Sequence, residues 1–240
     1  MRKRFLASTF RLQAGFTLLE TLIALGIGAF LLGGIAVVMG ITRQNFTAQT
    51  GLAQLQDDQR VAVNMLVTVI EHAGYFFNPQ AQTVATAFPI SAQFPSPAQA
   101  VAGTTGSGSA GDTVSVRYVQ SPQGNATSDF MQNCNGAVNG TTAPVMSVNT
   151  FSLSSSGELS CAVDAQTALP LASGITAFKV LYGVDTNSDK SVDQYLPAAS
   201  MTTDYWLAVL SVQVTVVFAN PLDTSKSITV VRVINLMNQA

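Results

Sequence analysis

The sequence predicts an α+β fold: one long N-terminal helix, its first half membrane-spanning and its second half amphipathic, packed on an antiparallel β-sheet head. Three observations predict it. The run Phe16–Ile41 holds 26 residues and a single charge, Glu20. From Phe46 to Ala73 apolar residues recur close to a 3.6-residue period. Beyond Val114, runs of β-branched and aromatic residues alternate with turn-forming clusters. Charged residues make up only 10% of the 240, against about 25% in soluble domains, so part of the chain resides outside water.

The chain opens with Arg2, Lys3, Arg4 and Arg11, four cations and no acid in 15 residues. The remainder carries seven basic and thirteen acidic groups, a formal charge of −6. Such a head offers no basic patch for nucleic acid. As a helix, Phe16–Ile41 spans about 39 Å, enough for a hydrocarbon core of about 30 Å. The cations before it keep the N-terminus cytoplasmic and export the rest of the chain. A secretory signal has a shorter apolar region and a small-residue cleavage site behind it, whereas Gly15 stands in front. A plain signal anchor explains the span but not a carboxylate five residues into it. That carboxylate costs at least a few kcal/mol in the bilayer and marks a functional residue.

The string Gly15-Phe16-Thr17-Leu18-Leu19-Glu20, after a basic leader and before an apolar helix, resembles the processing motif of type IV prepilins and type II secretion pseudopilins. The resemblance implies that a membrane peptidase cuts after Gly15 and methylates the amino group of Phe16. Glu20 then becomes the fifth mature residue and pairs with the methylated terminal amine of an adjoining subunit. Snorkelling of Glu20 to the headgroups is the competing reading. Gly26, Gly28, Gly33, Gly34 and Gly40 admit close helix packing and also local melting near Gly33-Gly34.

The helix is expected to continue to Ala73, as a rod of about 85 Å. Leu52, Leu55, Ala62, Leu66, Val69 and Ala73 would face the head, and Gln54, Asp57, Asp58 and Arg60 water. Gly74 and Pro79 end it. The organisation is a leader over 1–15, a transmembrane helix over 16–42, its amphipathic continuation over 43–74 and a periplasmic β-rich head over 75–240. Glu71-His72-Ala73-Gly74-Tyr75 and the closing Val233–Asn238 stretch resemble PilW-type minor pilins. His72 is the lone histidine and reads as a solvated helix-end residue.

Residues 78–111 read as a long irregular stretch, with a low-complexity, mobile segment at Gly103–Gly111. Strands come after it. Val114, Val116 and Tyr118 alternate with Ser115, Arg117 and Val119. Phe151–Leu153, Leu159–Val163, Phe178–Val184, Trp206–Phe218 and Ile228–Leu236 come next, the last two as a hairpin turning at Asn220-Pro221. Cys134 and Cys161 leave two readings, a disulfide on export or two buried thiols; export favours the bridge. In the chain-entropy account such a bridge is worth about 3–4 kcal/mol.

Asp185, Asn187, Asp189, Ser191 and Asp193 set oxygen ligands at loop positions 1, 3, 5, 7 and 9, the spacing of a calcium loop, with a polar β-turn as the alternative. Lys190 stands where such loops carry glycine, and Leu196 where they carry a bidentate glutamate. Asp112, Asp129 and Glu158 read as isolated and solvated. No nucleophile-base set, phosphate loop or zinc spacing occurs, so no enzyme is predicted.

The resemblance therefore implies a minor pilin of the PilW type. It would be processed by the prepilin peptidase, sit in the bacterial inner membrane with its head in the periplasm, and join other minor pilins and the major pilin through its N-terminal helix. It would prime assembly at or near the pilus tip, on the cell surface. Two rivals are a pseudopilin of a type II secretion or DNA-uptake system and a membrane-anchored periplasmic binding domain that never assembles.

Overall fold

The computed structural model describes residues 15–107, 111–124, 131–223 and 225–238. Expectations resting on Arg2, Lys3, Arg4, Arg11 and Asp129, and on 108–110 of the low-complexity segment, lie outside the described residues. The chain divides into two compact units between Thr50 and Gly51.

In the first unit the helix α1 (Leu18–Glu71, 54 residues) begins, and its apolar side chains are exposed along nearly its whole length there. The helix is long and apolar enough to cross a membrane. It runs unbroken through Gly33-Gly34, with open space around every glycine of the apolar run. Thr21, Thr42, Thr47 and Thr50 return their hydroxyls to carbonyls three or four residues back, at 2.8–3.0 Å. The hydroxyls of Thr21 and Thr42 are thereby satisfied without water, which suits a helix surrounded by hydrocarbon.

In the second unit the rest of α1 buries Leu55, Ala62, Leu66 and Val69 of the stripe that the periodicity marks, and Ile70 beside them. Leu52 is only half-buried, and Asp58 does not simply face water: it accepts the Ser173 hydroxyl at 3.0 Å. Gly74 ends the helix with φ +79°, and a Cβ there would stand 2.8 Å from the carbonyl oxygen of Asn238. Both facts require glycine. His72 is half-buried with its ring edge-on to Tyr118 at 5.6 Å, so it is a packed residue and not a solvated one.

The head holds two antiparallel sheets where one was expected. Strands β1 (Val101–Thr104), β2 (Thr113–Gln120), β3 (Val145–Leu153), β4 (Leu159–Val163) and β5 (Leu169–Ala172) form a meander in that order. Strands β6 (Ile175–Val184), β7 (Gln194–Pro197), β8 (Val209–Ala219) and β9 (Ser227–Asn235) form the second sheet, in the order β7-β6-β8-β9. Pro170 lies in β5 at the margin of the first sheet, where a residue without an N–H is tolerated. The β8–β9 hairpin is present as expected. Trp206 is not in a strand: Thr202 caps a short helix α3 (Thr203–Leu207), accepting the Tyr205 N–H at 3.2 Å, and β8 starts only at Val209. Val114, Val116, Tyr118 and Phe151 of the first sheet, Phe178, Tyr182, Val214 and Phe218 of the second, and the α1 stripe share one core.

The stretch 78–111 is not structureless. A capping box formed by Thr83 and Thr86 starts the helix α2 (Val84–Ala87), and β1 comes after it. The element that organises it is Arg117 on β2, only 1% exposed. Its guanidinium donates to the carbonyls of Gln99, Pro89 and Phe88 at 2.7, 2.6 and 3.2 Å. The faces of Phe94 and Phe88 lie 4.4 and 5.4 Å from its centre. Burial pushes its pKa down to about 10, which leaves it charged at ordinary pH. A buried cation is held here by carbonyl dipoles and π-faces instead of a carboxylate.

Asp112 was expected to be solvated and is buried. Its carboxylate accepts from the Val180 and Gly106 N–H groups at 2.8 and 2.9 Å and from Lys179 at 3.3 Å. Glu158 is half-buried and accepts the Ser156 hydroxyl at 2.8 Å.

Candidate assembly site

Gly15 and Phe16 precede α1, and Phe16 is 81% exposed. Thr17 is the residue on which the helix is started. Its hydroxyl accepts the Glu20 N–H at 3.3 Å and its carbonyl accepts the Thr21 N–H at 3.2 Å. It therefore acts as N-cap, with Glu20 three residues on, in the first turn. A carboxylate there meets the positive end of the helix dipole. The Thr-x-x-Glu spacing of a capping box carries this signal in the sequence, and motif-based reading passed over it. Among the described residues no cation of the chain pairs with Glu20, which is exposed. The site thus presents a glycine ahead of the helix, an accessible next residue and an exposed carboxylate in the first turn.

Cys134 and Cys161 form a disulfide, with Cα atoms 6.2 Å apart. Cys161 lies on β4, and Cys134 opens a loop also held by the Tyr118 hydroxyl on the Gln132 carbonyl at 2.8 Å and the Gln120 amide on that of Met131 at 2.6 Å. The Cys134 N–H donates to the buried Asn149 side chain at 2.8 Å.

The loop 185–193 draws Asp185, Asn187, Asp189, Ser191 and Asp193 into one hydrogen-bonded turn. Among the described residues no three carboxylates, cysteines or histidines converge to hold a metal. The loop's own N–H groups occupy the oxygens instead. Asp185 accepts from Ser188, Lys190 and Asn187 at 2.6, 2.8 and 3.1 Å. Asp189 accepts the Ser191 N–H at 2.8 Å and Asp193 the Thr186 N–H at 2.7 Å. Asn187 joins the last two through its amide, at 3.2 and 3.3 Å. The Ser191 hydroxyl and N–H, then Asn187, hold the Asp189 carboxyl below the usual carboxylate range. Lys190 still adopts φ +66° where glycine would be relaxed.

Residues 10–36 match the family model for the prokaryotic N-terminal methylation motif, and residues 136–235 match that for type IV pilus-assembly protein W. A type IV-like pilin from Thermus thermophilus is similar in structure at 13% identity and a TM-score of 0.43, over 78% of this chain and 97% of that one. No curated protein matches the chain significantly.

Proposed function

We propose that this type IV pilin-like chain, with its N-terminal methylation motif and its PilW region, is a minor pilin that takes part in type IV pilus assembly and initiation. The observation that carries the reading is the presence of both matches in one chain, at 10–36 and 136–235. The helix geometry supports it: an apolar surface exposed from Leu18 to Ile41, whose single charge, Glu20, stands one turn from the processing point and has no ion-pair partner among the described residues. In this reading prepilin peptidase cuts after Gly15 and Phe16 is N-methylated. The helix anchors the chain in the inner membrane with its head in the periplasm. Glu20 then takes the methylated terminal amine of a neighbouring subunit, which offsets its burial and fixes the stagger between helices. The chain joins other minor pilins and the major pilin, primes the filament and stays at or near its tip. It works by assembly, not by catalysis.

Mass analysis of the mature N-terminus and recovery from sheared pili test the reading together. A chain beginning with N-methylated Phe16 and present in pili at low abundance is the expected result. Retention of Met1, or cutting elsewhere, overturns processing. Correct processing with absence from sheared pili assigns the chain to a secretion-type pseudopilin or to an anchored domain that never assembles.

A further inference from the structure

The outer edge of β9 is the one long strand edge that the head leaves open among the described residues. β9 pairs with β8 without a register shift, and no strand lies beyond it. The ladder extends past both strand ends: the Asn220 N–H donates to the Lys226 carbonyl at 3.3 Å and the Leu236 N–H to that of Leu210 at 2.9 Å. Hydrogen-bonded pairs in an antiparallel ladder recur at every second residue. Even-numbered residues of β9 therefore bond to β8, and Ser227, Thr229, Val231, Val233 and Asn235 turn their N–H and C=O groups outward. Among the described residues only the Val231 carbonyl of these groups has a partner, the Arg232 guanidinium at 3.1 Å. Val231 and Val233 are 44% and 53% exposed.

The other sheet margins are blunted. β1, β5 and β7 have four residues each, β5 carries Pro170, β7 ends on Pro197, and the Val101 carbonyl of β1 accepts the Gln99 amide at 2.9 Å. Short strands, prolines and covering side chains are how sheet edges avoid stray pairing. β9 has nine residues, no proline, no bulge and a single charge. Open backbone groups along such an edge are matched by another extended strand.

What covers it can be narrowed. A second copy is unsuitable in either direction. The Gly51–Glu71 part of α1 runs the same way as β9, since a Cβ on Gly51 would lie 3.2 Å from Pro221 and the Met237 N–H donates to the Glu71 carbonyl at 3.4 Å. Antiparallel pairing of two β9 edges would reverse the Gly51–Glu71 segment of one copy relative to the other, whereas subunits of one filament, as the proposed function has them, run the same way. Parallel pairing in register would set Arg232 beside Arg232. Arg232 itself is exposed, and no carboxylate pairs with it among the described residues.

We propose that the β9 edge receives an extended strand from a different protein of the same filament, one that brings a carboxylate to Arg232 and apolar side chains beside Val231 and Val233. The proposal rests on the minor-pilin reading. Docking swaps the Val231–Arg232 contact for a backbone hydrogen bond and an ion pair, so a strand without the acid leaves Arg232 unpaired and is disfavoured.

The test uses the full chain in piliated cells, with a photo-crosslinking residue in place of Thr229 and sheared filaments as the readout. A discrete adduct is expected in filaments. Val231→Pro removes an outward N–H while leaving the β8 ladder whole, and should reduce the adduct at least tenfold with the melting temperature and disulfide unchanged. Arg232→Glu should do the same, without touching the fold, and Arg232→Lys should keep the adduct. Filaments that contain the chain but give no Thr229 adduct, or equal adduct in Arg232→Glu, overturn the proposal. A chain absent from wild-type filaments overturns the minor-pilin reading itself, a result that the processing and shearing experiment reports separately.

Discussion

Arg117 shows how far one residue can set the conformation of a segment distant in sequence. Three carbonyls from residues 88–99 converge on its fork, and two rings cover its faces. Lysine has the charge but not the planar fork, and would leave carbonyls unpaired in the interior. Arg117→Lys should therefore cost about 2–3 kcal/mol and Arg117→Ala more, by thermal unfolding in detergent. The first segment to gain proteolytic sensitivity should be 88–99. At Lys190 the opposite sign holds. Its φ of +66° is strained for a side chain, so Lys190→Gly should leave stability unchanged or raise it by up to about 1 kcal/mol. The Asp189 carboxyl is held low by Ser191, so its contribution to the loop is present above the usual carboxylate range and is lost as pH falls through its depressed value.

At the scale of elements, local pattern reported what local forces determine. The α1 stripe, the alternation in β2 and the β8–β9 hairpin were legible because burial on one face imposes a period on the sequence. β1, β5 and β7 were not: four residues are too few to show a period, and each exists because a longer neighbour offers it a ladder. Arg117 and Asp112 look like ordinary polar positions, since their partners are backbone groups whose positions depend on the finished fold. In the proposed assembly site, Gly15, Phe16 and Glu20 are marked by motif, and the methylation-motif match over 10–36 spans them. The cap made by Thr17 was present in the spacing and is plain only from its hydrogen bond. The cysteine pair was legible as one of two readings, and the Cys134–Cys161 bridge decides between them. Reduction of Cys134–Cys161 should lower stability by about 3–4 kcal/mol in the chain-entropy account. Peptide mapping before and after reductant, paired with unfolding curves, checks both the bridge and its effect.

For the whole molecule the decisive residue under the proposed function is Glu20, because membrane insertion and assembly would make opposite demands on it. Insertion is opposed by a carboxylate in hydrocarbon, so Glu20→Ala should insert more easily, by up to a few kcal/mol. Assembly, in the proposed function, needs that charge to hold a neighbour's terminal amine. The capped helix start complicates a simple truncation, since Glu20→Ala also removes a favourable first-turn acid from a helix begun by Thr17. Glu20→Gln separates the effects: glutamine keeps the size and suits the same capping position, and only the charge is lost. Cleavage after Gly15 should persist in both variants, and both should accumulate in the membrane as processed chains. Their incorporation into pili should fall at least tenfold, read by quantitative immunodetection in sheared filaments against the membrane pool. Wild-type incorporation of Glu20→Gln would rule out charge pairing while leaving a hydrogen-bonded register in place. Wild-type incorporation of Glu20→Ala as well would make the carboxylate dispensable, and the chain would then be recruited through its head, where the β9 edge is the surface to test next.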